Sequence, residues 1–143
     1  MGTWNPGPFG SDAAADLLDL AAAEDPGARG EFIREMLNDG LRLAAGEDVD
    51  LFPEDVVAAA NLVAISVPGG LERLVVEGEQ TARLTNSVIP DVDPSLAALA
   101  LESLRAMAVP GNDWYDTYFD SDNPEPEAVD AFRAAVGVLQ EFR

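Results

Sequence analysis

The chain has 143 residues, a mass of 15.1 kDa and 48% hydrophobic content, which suits one domain able to close a core without cross-links. It contains no histidine and no cysteine, which excludes Ser-His-Asp and Cys-His nucleophilic systems, thiol redox chemistry and zinc sites built from imidazole or thiolate. Asp and Glu number 27 against eight Arg and no Lys, a formal charge of -19, so nucleic acid and anionic membrane, which both need a basic patch, are not expected partners.

The amino-terminal arm, residues 1–10, holds Trp4 and Phe9 around Pro6-Gly7-Pro8. It has no basic stretch followed by an apolar run of signal-peptide character, and with the lack of cysteine this leads to the expectation of a cytoplasmic protein. Ser11 and Asp12 then precede Ala14, Leu17, Leu18 and Ala21, an i, i+3, i+4, i+7 stripe that predicts a first helix with Ser11 as its cap, running to about Glu24. Asp25-Pro26 opens a second helix, whose Ile33, Met36, Leu37, Leu41 and Ala44 form the apolar stripe and whose stop is Gly46. After an acidic link at Glu47-Asp48-Val49-Asp50, Val56, Ala60, Val63 and Val67 mark a third helix, ended by Pro68-Gly69-Gly70. The longest apolar stretch, Val56 to Val67, is interrupted by Asn61 and Ser66 and falls short of the roughly 20 residues that cross a bilayer.

Leu71 to Ile89 fits both a helical face and a short strand around Leu74-Val75-Val76; helix is the reading adopted. Asp93-Pro94 begins a helix carrying Leu96, Leu99, Ala100, Leu101, Leu104 and Met107, apolar on most sides and so expected near the centre of the fold. Residues 109–127 form an acidic aromatic loop or short helix, and a final helix carries Val129, Phe132, Val136 and Leu139. The fold class expected is all-α: a compact single-domain bundle of five to six short helices over residues 1–143.

Gly2, Thr3, Trp4, Gly7, Phe9, Asp12, Ala13 and Asp16 form an opening that resembles the DUF4259 family of small acidic bacterial proteins, a domain of unknown function. Asn5 departs from that pattern, where Gly is expected. An Ala-rich helix at 97–107, the aromatic acidic segment at 113–119 and a last helix at 129–139 are similar to the family's later arrangement, although Trp114-Tyr115-Asp116-Thr117-Tyr118-Phe119 stands where an acidic Leu-Trp phrase is expected. The resemblance implies no activity. Some such small acidic proteins are thought to be immunity-like partners of bacterial toxins, which lends support to a binding role. The motif residues Gly2, Thr3, Trp4, Gly7, Phe9, Asp12 and Asp16 are expected to be structural, with Trp4 and Phe9 packing onto the core.

The candidate partner-binding residues are Asp113, Trp114, Tyr115, Asp116, Tyr118, Asp120 and Asp122. Four of the chain's ten aromatic residues fall in this stretch and no Arg lies between Asn112 and Glu127. Rings supply buried anchor area and cation-π faces, and carboxylates accept paired bonds from Arg, a combination suited to a basic protein. The competing reading has the rings pointing inward and the acids solvating a loop. As an EF-hand calcium loop the segment fails: after Asp120-x-Asp122, Pro124 takes a ligand position and Glu125 the turn glycine's place; a weak calcium site there or at Asp91-Val92-Asp93 stays an alternative. No metal, cofactor or catalytic residue is assigned. The function expected is an acidic protein-interaction domain, immunity-like, acting by blocking a basic partner; the alternative is a carboxylate-based hydrolase or divalent-cation-dependent enzyme, which needs two acids converging in a cleft with separated pKa values.

Overall fold

A computed structural model describes residues 12–70, 86–90, 92–109 and 126–142. Among them are five α-helices and no strand: α1 (Asp12–Ala23), α2 (Arg29–Ala44), α3 (Pro53–Ser66), α4 (Pro94–Met107) and α5 (Pro126–Phe142), with a single 3-10 turn, Pro26–Ala28, ahead of α2. The all-helical expectation holds.

The ends of these helices follow from local chemistry. In α2, Gly46 adopts φ +88°, the left-handed conformation that glycine takes without a Cβ clash. Its N–H then reaches the Leu43 carbonyl at 3.0 Å and that of Glu47 reaches the Arg42 carbonyl at 3.0 Å, the paired bonds of a Schellman stop. The turn after α3 uses Pro68 and then Gly69 at φ +79°, closed by Gly70 N–H on the Val67 carbonyl at 2.9 Å. α4 begins at Asp93, whose Oδ1 accepts the Leu96 N–H at 2.7 Å and the Ser95 hydroxyl at 2.9 Å, with Pro94 in the first turn.

Two expectations about α2 change. The Asp25-Pro26 start produces the 3-10 turn rather than the α-helix itself, and the Asp25 side chain makes no capping bond; its carbonyl instead accepts the Ala28 N–H at 2.8 Å. The buried face of α2 is Ile33, Leu37 and Gly40, with Met36 and Leu41 half-buried and Ala44 exposed. Gly40 belongs to that face because a Cβ there would lie 2.6 Å from Val56 Cγ1 and 2.9 Å from its Cγ2, so α2 and α3 approach where a side chain is missing.

α4 lies near the centre of the fold as expected, and shares it with α3. It buries Leu96, Ala97, Ala100, Leu101, Ser103, Leu104 and Met107, and it packs on α2, α3 and α5. The most enclosed helix is α3, where every residue from Val56 to Ile65 is buried, and which α1, α2, α4 and α5 all touch. A helix that is apolar on every side belongs in the interior. The run Ala58-Ala59-Ala60 lets neighbours come close enough to surround it.

Most of the Leu71 to Ile89 segment lies outside the described residues. Its end, residues 86–90, is held by three elements. Ser87 Oγ donates to the Leu18 carbonyl at 2.8 Å, the Ile89 N–H donates to Ser66 Oγ at 2.9 Å, and Arg29 Nη1 donates to the Val88 carbonyl at 2.9 Å. Ile89 is buried there.

Candidate functional site

The residues assigned to partner binding from the sequence, Asp113, Trp114, Tyr115, Asp116, Tyr118, Asp120 and Asp122, lie outside the described residues. So do Gly2, Thr3, Trp4, Gly7 and Phe9 of the amino-terminal motif, and Ser11, expected to cap the first helix. Asp12 is the first residue of α1, and Asp16 is exposed one turn further on.

Buried polar groups are the first place to look for chemistry, because an unsatisfied one is costly and rarely kept without purpose. Among the described residues the buried polar side chains are Asn61, Ser87 and Ser103. Asn61 Nδ2 donates to the Val57 carbonyl at 2.9 Å, Ser103 Oγ to the Leu37 carbonyl at 3.3 Å, and Ser87 to Leu18 as above. No buried side-chain nitrogen or oxygen among the described residues lacks a partner. The two serines tie elements together: Ser103 joins α4 to α2, and Ser87 joins the 86–90 segment to α1, whereas the Asn61 bond stays within α3.

Arg29 does the same with a charge. Its Nε donates to the Ala21 carbonyl at 2.9 Å and its Nη2 to that of Ala22 at 3.3 Å, while Nη1 holds Val88. Ala21 and Ala22 lie in the last turn of α1, where the negative end of the helix dipole and the uncapped carbonyls favour a guanidinium. Arg29 thus caps α1 from the start of α2.

The carboxylates divide between two environments. At the start of α3 the Phe52 side chain offers no acceptor, and Asp55 supplies half of a capping box by accepting the Phe52 N–H on Oδ2 at 3.1 Å. Burial holds the Asp55 carboxyl above the usual carboxylate range, the bond from Phe52 opposes that, and the nearby charge of Asp16 adds to the rise. Asp93 sits at an exposed helix start, where the Leu96 N–H and then the Ser95 hydroxyl hold its carboxyl below the usual range, with Arg34 Nη2 3.5 Å away. No group of three or more potential metal-ligating side chains occurs among the described residues, and no described helix is long and apolar enough to cross a membrane.

The exposed surface offers a feature that the sequence reading passed over. Phe52 is 67% exposed in the connection from α2 to α3, where five of the nine residues from Glu47 to Asp55 are acidic. Glu47, Asp48 and Asp50 are exposed, and Glu54 and Asp55 are half-buried. Arg42 answers part of this charge through Glu47 at 3.3 Å and also pairs with Asp39 of α2 at 3.4 Å. The signal was present in sequence as a ring between Asp50 and Glu54, but Phe52 beside Pro53 also fits a buried helix start, and only the structure places it in solvent. Acidic side chains otherwise occur on all five helices, from Asp16 and Asp19 on α1 to Asp130 and Glu141 on α5, so the surplus charge is shared rather than confined to one element.

No curated protein and no solved structure matches the chain. The family model of a domain of unknown function, DUF4259, matches residues 2–130, a span that takes in α1 to α4, the amino-terminal motif and the aromatic acidic segment; the chain belongs to the DUF4259 family.

Proposed function

We propose that this chain is an acidic protein-interaction domain that binds a basic partner and blocks it, in the manner of an immunity protein, without performing chemistry of its own. The observation that carries this reading is the solvent-exposed Phe52 ring in a connection whose flanking residues are mostly carboxylates. A single exposed apolar side chain is ordinary on a protein surface; a ring with carboxylates on either side matches what a cationic, partly apolar surface requires. The segment containing Asp113, Trp114, Tyr115, Asp116, Tyr118, Asp120 and Asp122 repeats that combination in sequence and is assigned to the same partner. The net charge of -19 supports fast encounter with a cationic protein and disfavours anionic ones.

The test is affinity capture from the native host on the wild-type chain and on two variants, Phe52→Ser and the triple variant Asp116→Asn, Asp120→Asn, Asp122→Asn, each confirmed folded by far-ultraviolet circular dichroism. The expected result is a basic protein retained by the wild type, depleted on both variants, and inhibited when the wild-type chain is added to it. A captured protein that is acidic, or that both variants retain equally, overturns the reading. Turnover of a small substrate that Asp55→Asn abolishes would replace it with the carboxylate-based enzyme.

A further inference from the structure

We draw no further inference here: the strongest candidate, the neighbouring carboxylates of Asp16 on α1 and Asp55 at the start of α3, is an acidic cluster, and among the described residues no unpartnered buried polar group points to a ligand there.

Discussion

Helices α2 and α3 are neighbours in sequence and of similar length, 16 and 14 residues, yet they meet water in opposite ways. α2 buries Ile33, Leu37 and Gly40 and turns Glu31, Glu35 and Arg42 outward. α3 hides ten consecutive residues, including Asn61. Periodicity decides the first case, because one face must be apolar and the other solvated. Position decides the second: with helices on every side, no face of α3 is left to be polar, and small residues matter more than the stripe. Side-chain size at the α3 contacts is therefore expected to matter more for stability than substitutions on the outer faces.

The largest effect is expected where that contrast is greatest. Leu62 of α3 is fully buried and Leu20 of α1 is 57% exposed. Leu62→Ala should cost about 2–5 kcal/mol through lost burial and the cavity left behind, and Leu20→Ala no more than about 0.5 kcal/mol. Urea denaturation of both variants measures this. Equal losses would show that α3 is not the enclosed core described.

Arg29 comes next, because it joins α1, α2 and the 86–90 segment through three carbonyls. Hydrogen bonds from a charged group are worth about 1.5–3 kcal/mol net. Arg29→Met, which keeps much of the aliphatic stem, should lose stability on that scale and speed amide exchange at Ile89, whose N–H is bonded to Ser66. Faster exchange confined to the last turn of α1 would place the role of Arg29 in capping alone.

The contact between the two helices can be sharpened with Gly40. Alanine in place of a helical glycine ordinarily stabilises by about 0.5–1 kcal/mol, but here the added methyl would meet Val56 at 2.6 Å, and overpacking costs about 1–3 kcal/mol. Gly40→Ala should therefore destabilise, and adding Val56→Ala should cost less in that background than in the wild type. Strict additivity in the double-mutant cycle would mean that the two residues do not limit the approach.

The smallest effects concern pH. Asp93, with its lowered carboxyl, stabilises the fold above the unfolded carboxylate pKa, and that contribution disappears as pH falls through its folded value. Asp55, raised by burial, works in the other direction: protonation favours the folded state, so its contribution is present below the unfolded pKa and lost as pH rises through the folded one. Asp93→Asn keeps an N-cap acceptor and should flatten the acid loss of stability. Asp55→Asn should remove part of the gain seen on acidifying from neutral pH. For the whole molecule, relief of repulsion among surplus carboxylates should raise the melting temperature as pH falls from 7 towards the carboxylate range, and also with added salt. Melting curves of the three proteins across that interval check both signs.

Much of the architecture was legible in the residues. The Pro53 and Pro94 starts, the glycines at 46 and 69 and the apolar spacing of α1, α2 and α5 each carry a local rule, and those rules locate all five helices. The choice of centre was less legible, because Leu96 to Met107 holds four leucines and a methionine where Val56 to Ile65 holds one leucine among mostly valine and alanine. The better signal was charge: no charged residue occurs between Asp55 and Glu72, whereas α4 carries Glu102 and Arg105 on its exposed side. Long-range contacts such as Ser87 with Leu18 and Arg29 with Val88 depend on how the helices assemble and leave no trace in local spacing. The exposure of Phe52 belongs to the same class.

The most direct test of the proposed role is the association rate constant with the captured partner, measured by stopped flow at low ionic strength and at about 0.5 M salt, where charges more than a few ångströms apart in water are screened. The account predicts a rate that falls at least about tenfold between the two conditions and that is already reduced at low salt in the Asp116→Asn, Asp120→Asn, Asp122→Asn variant. A rate unchanged by salt and equal in the variant would contradict it.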